Sequence, residues 1–163
     1  MKSLILKIIS GGQTGADMGG LLAGKQLEIR TGGCAPKGFL TENGSNYDLS
    51  KSFGLHQSDS EKYPPRTAEN IGKSDCTIIF SSNTGAERGS ILTQNLCLSK
   101  KKPHLWVDPT NLGIVEEIRE FIAEQARSKS RPIILNVAGN RESKSPGIEL
   151  KVQEILVEVF NQV

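Results

Sequence analysis

The stretch that decides the fold is Leu4-Ile5-Leu6-Lys7-Ile8-Ile9 followed at once by Ser10-Gly11-Gly12-Gln13-Thr14-Gly15-Ala16-Asp17. A short, mostly apolar run rich in isoleucine reads as a buried strand, and the glycine-rich segment that interrupts it leads into helix-forming residues. The same alternation recurs outward along the chain. Apolar runs at Leu4 to Ile9, around Glu28 to Thr31, at Thr77 to Phe80, His104 to Val107 and Ile133 to Val137 predict strands, and their continuous character predicts burial on both faces. Helices are expected at Gly15 to Gln26, Ala68 to Lys73, Ser90 to Ser99, Gly113 to Arg127 and Gly147 to Phe160. In the last two, Ile114, Ile118, Phe121 and Ile122, and Ile148, Val152, Ile155, Leu156 and Val159, recur at helical spacing and form core stripes. Strands alternating with helices define an α/β class, an open sheet of mainly parallel strands with helices on both faces.

With 163 residues the chain suits a single domain spanning 1–163. Lys and Arg number 20 against 18 Asp and Glu, a formal charge of +2 with no strongly basic half, so nothing points to nucleic acid. The basic run Lys100-Lys101-Lys102 falls where lysines complement a helix C-terminus. The first apolar run is too short for a membrane span or a leader, which places the chain in the cytoplasm with no membrane partner. Cys34, Cys76 and Cys97 are widely spaced with no C-x-x-C pair, so neither a disulfide framework nor a structural metal site is expected. Cys76 and Cys97 read as core. Cys34, in a glycine-rich loop, is expected near a site but has no histidine close in sequence. The polar segment from Phe39 to Pro65 is long for a connection, and Tyr47 and Tyr63 favour an ordered, ligand-facing lid.

In an open α/β sheet ligands bind beyond the C-terminal ends of the strands. Four segments there share one character: SGGQTGAD (10–17), TGGCAPKG (31–38), SSNTGAERGS (81–90) and AGNRES (138–143). Glycine lets backbone N–H groups approach a ligand, and helix N-termini favour anions. Lys37, Arg66, Arg88 and Arg141, in or near these loops, suit phosphate, arginine through its planar fork. Asp17 sits in a first helical turn, where it complements the dipole or, as a second reading, orients a ribose hydroxyl or a metal-bound water; Gln13 and Thr14 are not needed to make the turn. Arg66 and Asn70 are spaced to face the site one turn apart. The stretch Gly19 to Lys25 mimics a phosphate-binding G-x-x-x-x-G-K, but Gln26 replaces the required Ser or Thr and the stretch lies within a helix. The dinucleotide spacing G-x-G-x-x-G is absent from GGQTG, and no Ser or Cys elbow accompanies His56 or His104.

SGGQTGAD, TGGCAPKG with TENG, YPPRTAEN, KSDCTIIFS, KKP and LNVAGNRESKSPGI, in that order, resemble the molybdenum cofactor carrier family, in the circularly permuted branch of the YpsA-like, lysine-decarboxylase-like (LOG-related) Rossmannoid proteins. The resemblance implies a three-layer Rossmann-like fold in which the last strand and AGNRES replace the first strand of unpermuted relatives. It implies a phosphorylated ligand, either molybdenum cofactor or a nucleotide, and a homo-oligomer. By motif, the contacts fall on Gly11, Gly12, Gln13, Thr14, Gly15, Asp17, Lys37, Arg66, Asn70, Arg141, Glu142 and Ser143, and the loop reading adds Gly89 and Ser90. Related phosphoribohydrolases carry P-G-G-x-G-T-x-x-E, whereas here Ser90 stands at the Thr place and Thr93 at the Glu place. Three functions stay open: a carrier, an enzyme acting at a ribose N-glycosidic bond with Glu142, Glu87 or Asp17 as acid or base, and a nucleotide-derived ligand sensor. No catalytic residue or metal ligand is assigned.

Overall fold

The computed structural model describes residues 1–82 and 87–161; residues 83–86, within the expected SSNTGAERGS loop, and 162–163 lie outside the described residues. The chain runs β1 (Ile5–Ile9), α1 (Ala16–Gln26), β2 (Thr31–Ala35), β3 (Leu40–Thr41), β4 (Gly44–Ser45), α2 (Asp48–Phe53), β5 (Leu55–Gln57) and α3 (Tyr63–Lys73). It continues through β6 (Cys76–Phe80), α4 (Arg88–Ser99), β7 (His104–Val107), α5 (Ile114–Lys129), β8 (Ile133–Gly139) and α6 (Ile148–Phe160). β3 and β4 form a small antiparallel hairpin; the other six strands make one parallel sheet ordered β5-β2-β1-β8-β6-β7.

The centre of that sheet is the most apolar part of the sequence. All five residues of β6 are buried, and Ile78, Ile79 and Phe80 are fully so, each contributing on the order of 2 kcal/mol of apolar burial. β8, paired with β1 through Ile8↔Leu135 and with β6 through Ile78↔Val137, adds Leu135 and Val137 to the same core. The helical stripes close it: Ile118 and Ile122 of α5, and Val152, Leu156 and Val159 of α6, are all fully buried. α1 packs on α6 at close range. A Cβ at Gly19 would come within 2.5 Å of the Glu149 carbonyl oxygen, so the G-x-x-x-x-G-K look-alike is helix-packing glycine. A second cluster joins Leu21 of α1, Ala35 of β2, and Leu49, Phe53 and Leu55 under α2 and β5. α3 and α4 pack against each other, completing helical layers around the sheet.

Two expectations are corrected. The second strand is Thr31–Ala35 rather than Glu28 to Thr31, so five of the eight residues of the expected TGGCAPKG loop are strand. Glu28 takes positive φ in the turn after α1, and pairing with β1 and β5 makes TGGCA extended despite weak strand propensity. The Phe39 to Pro65 segment is not a free lid but contains β3, β4, α2, β5 and the first turn of α3, which begins five residues earlier than expected, with proline in its first turn. Tyr47 is exposed at 59%, packs edge-on against Phe39 and does not line the crevice described below, whereas Tyr63 does. Lys102, of the basic run, donates from Nζ to the Gly72 and Ser74 carbonyls, complementing the C-terminus of α3 rather than of α4.

Candidate functional site

Counting β8 as the first strand, the sheet reads outward in one direction through β1, β2 and β5, and in the other through β6 and β7. The order therefore reverses between β8 and β6, the place where an α/β sheet opens a crevice at its C-terminal edge. A cavity of about 360 Å³ lies there. Its floor is Asn136 to Gly139 of β8; its walls are Gly11, Gln13 and Asp17 from the first loop, Tyr63, Arg66 and Asn70 from α3, and Glu87 to Gly89 with Thr93 at the start of α4. Arg141 closes one side.

Arg66 and Asp17 form the best-buried ion pair, Nη1 to Oδ2 at 3.1 Å, with side chains 12% and 6% exposed. Asp17 also accepts from the Gln13 backbone N–H at 3.2 Å. Burial raises the Asp17 carboxyl, and the Arg66 charge is the largest influence opposing that rise. The guanidinium lies over Gly11, where a Cβ would stand 1.3 Å from Nη1, so only glycine leaves room. Arg66 Nε is buried and has no hydrogen-bond partner among the described residues. Tyr63 supports the guanidinium carbon at 5.4 Å from its ring centre.

Arg141, the second crevice cation, is paired with Glu87: Nε donates to one carboxylate oxygen, and its backbone N–H to the other at 2.9 Å. That pairing turns Glu87 away from the helix it precedes. Glu87 is the N-cap of α4 yet makes no side-chain cap, and Arg88, exposed at the crevice, makes no ion pair among the described residues. Asn140, fully buried, holds the arrangement together. Its Oδ1 accepts from Ser81 and Ser90 hydroxyls, each at 2.8 Å, and its carbonyl accepts from Ala16 N–H at 3.1 Å. Gly15, at φ 83°, permits that approach, since a Cβ would meet the Asn140 carbonyl at 2.4 Å.

Gly11, Gln13, Asp17, Arg66, Asn70, Gly89 and Arg141 thus line one crevice. Gly12 and Thr14 line a neighbouring cavity of about 260 Å³ beside the β3–β4 hairpin. Gly15, Lys37, Ser90, Glu142 and Ser143 line neither. Lys37 is exposed in a 3₁₀ turn after β2, and the Ser90 hydroxyl is engaged by Asn140. Glu142 accepts from the Gly147 and Glu149 N–H groups, capping α6. The Asn70 amide engages the backbone of Cys34, donating to its carbonyl at 2.9 Å and accepting from its N–H at 2.8 Å.

Sequence reasoning left Glu42 and Asn140 without a role. Glu42, at the hairpin tip, accepts from the hydroxyls of Thr14 and Ser143 and from the Ser143 N–H at 3.1 Å, clasping the first loop, the hairpin and the loop after β8. Partial burial alone would raise its carboxyl, but these hydrogen bonds hold it below the usual range. The signals were TENG and AGNRES themselves, polar residues at fixed places beside glycine.

The fold and site define a Rossmann-like α/β protein with a crevice at its switch point. Residues 8–160 match the circularly permutated YpsA SLOG family, and the chain belongs to it. A crystal structure of a "Putative molybdenum carrier protein" from Syntrophus aciditrophicus SB superposes with a TM-score of 0.83 at 35% identity, covering 98% of this chain and 96% of that one. A search of curated proteins found no match. Among the described residues, no helix is long and apolar enough to cross a membrane.

Proposed function

We propose that the chain is a carrier that binds a phosphate-bearing small molecule, molybdenum cofactor first and a nucleotide second, in the β8–β6 crevice. The observation that carries this reading is the N-terminus of α4: its cap residue is drawn off by Arg141, so that among the described residues its first turn has no side-chain cap and Arg88, at the crevice, has no ion pair. Arg66, with a buried Nε lacking an acceptor, adds a second donor suited to an oxyanion. A cavity of about 360 Å³ falls within the range for small-molecule sites. The residues present therefore fit a phosphorylated pterin or nucleotide. Kinship with a protein named as a molybdenum carrier favours the pterin.

A carrier fits better than a hydrolase. Each carboxylate available for acid–base chemistry is already engaged: Asp17 by Arg66, Glu87 by Arg141, and Glu142 by the α6 N-terminus. Thr93, where related hydrolases place a glutamate, lines the crevice with its hydroxyl donated to the Gly89 carbonyl. In this reading the protein is cytoplasmic and homo-oligomeric, the latter open to sedimentation analysis.

Thermal unfolding with molybdenum cofactor, molybdate and a panel of nucleoside phosphates tests the proposal. A ligand at about 100 times its Kd stabilises the native state by about 2.7 kcal/mol, several degrees in melting temperature for a chain of this size. Arg88→Ala is expected to lose most of that shift without changing the ligand-free melting point. If no compound of the panel raises the melting temperature at excess, the proposal is abandoned.

A further inference from the structure

The parallel register of β2 and β5 sets Cys34 directly opposite His56, two residues far apart in sequence. α3 lays Glu69 across the same pair, so that one ligand atom each from Cys34, His56 and Glu69 lies within 4.8 Å of the others. His56 Nε2 and Glu69 Oε2 are 2.8 Å apart, and Lys73 stands 3.5 Å from the other carboxylate oxygen. Cys34 is buried at 1% exposure, whereas the His56 side chain is half-exposed. Beside the trio is a separate cavity of about 300 Å³, lined by Cys34 and Glu69 together with Asp59 and the Gln57 to Ser60 turn, sharing no residue with the crevice.

From this juxtaposition of thiol, imidazole and carboxylate we infer that the chain carries a divalent transition-metal site of zinc type, with Cys34, His56 and Glu69 as protein ligands and the adjoining cavity open for a fourth. Mixed sulfur, nitrogen and oxygen donors suit zinc, whose bonds of about 2.0–2.3 Å put tetrahedral ligand atoms about 3.3–3.8 Å apart. The trio, all within 4.8 Å of one another, lies close to that spacing, and the half-exposed imidazole has room to adjust. Burial, then the neighbouring Glu69 carboxylate, push the Cys34 thiol up to about 12, so it is protonated in the metal-free protein; its S–H donates to the Ala35 carbonyl oxygen, 3.7 Å from Sγ. Binding M²⁺ expels that single proton to solvent and leaves a thiolate–metal bond; no electron is transferred. Asn70, which clamps the Cys34 backbone from both sides, fixes the thiol in place and belongs to the crevice as well, so the site lies one residue from the proposed ligand pocket.

Cobalt(II) is the probe, because its thiolate complexes show a near-ultraviolet charge-transfer band and tetrahedral sites show intense visible bands. The full chain titrated with cobalt(II) is expected to develop both with one equivalent, and zinc(II) is expected to abolish them. Cys34→Ser removes the charge-transfer band; His56→Gln and Glu69→Gln weaken binding at least about tenfold. His56 is half-exposed, so its variant keeps its fold and decides the matter even if Cys34→Ser unfolds. A folded wild type that gives no thiolate band at excess cobalt overturns the inference. So does a band of equal affinity in His56→Gln, which would assign the signal to Cys76 or Cys97. The outcome is independent of whether the crevice binds a phosphorylated molecule.

Discussion

Replacing Gly11 by alanine tests the packing on which the crevice depends. The added methyl would stand 1.3 Å from Arg66 Nη1 and 2.3 Å from Cζ, while its third-nearest neighbour, Nε, is 3.0 Å away, so the guanidinium must leave its seat. Gly11 itself is not at positive φ, and alanine brings no backbone strain. Expulsion of Arg66 separates it from Asp17, and breaking a buried pair costs about 3–5 kcal/mol when the remaining charge has no recourse. Asp17 has one: its carboxyl is already raised, chiefly by burial, and takes up a proton when Arg66 departs. The expected loss is therefore about 2 kcal/mol at pH 7. The sign with pH follows. A carboxyl raised in the native state contributes most below its unfolded value, about 3.9, and that contribution declines as pH rises through the folded value. Losing Arg66 raises Asp17 further and extends the decline, so the deficit of Gly11→Ala grows from pH 4 to pH 7. The assay is urea unfolding of wild type, Gly11→Ala, Arg66→Ala and the double variant. With Arg66 shortened, the new methyl meets no clash, so Gly11→Ala in that background is expected to cost under about 0.5 kcal/mol, a coupling of about 1.5 kcal/mol. Equal costs of Gly11→Ala in the two backgrounds would refute the reasoning.

Three other outcomes follow from the same geometry. Asp75 accepts both guanidinium nitrogens of Arg131, at 2.8 and 3.1 Å, and the Ile134 N–H at 2.8 Å; these outweigh its partial burial and lower its carboxyl. Its stabilisation is present above about pH 3.9 and lost as pH falls through the lower folded value, so Asp75→Asn is expected to lose about 1–2 kcal/mol at pH 7 and less at pH 3 by urea unfolding. Glu42→Ala opens the clasp between the hairpin and the loop after β8; limited proteolysis is expected to cut faster within residues 40–47, with a stability loss of about 1 kcal/mol. Glu142→Gln removes charge from the α6 cap, lowering stability by about 0.5–1 kcal/mol in thermal unfolding while leaving ligand affinity within twofold.

The centre of the sheet was legible because its physics is local. β1, β6, β7 and β8 are short apolar runs, and α5 and α6 carry regular stripes that nothing else explains. β2 was misplaced because TGGCA has little intrinsic preference for a strand and takes its conformation from neighbours on both sides. The short elements between Phe39 and Gln57 were hidden for a related reason: two- and three-residue strands and a six-residue helix are too brief to show a period. For the site, the loops were readable because glycine beside polar residues at strand ends has few other uses. Which charges remain free was not readable. Arg141 reads from sequence as one of four cations suited to phosphate, but it is paired with Glu87 across 54 residues, and among the described residues that pairing leaves Arg88 without an ion pair and α4 without a side-chain cap. Likewise, Cys34 and His56 meet only through strand register.

A crystal structure of the chain soaked separately with molybdenum cofactor and with a nucleoside monophosphate measures the central claim most directly. The account predicts phosphate density at the N-terminus of α4, within hydrogen-bond reach of the Arg88 side chain and the Gly89 N–H, with the ring system lying over β8 toward Arg66. Density confined to the Gly12–Thr14 cavity, or a phosphate held away from α4, would contradict it.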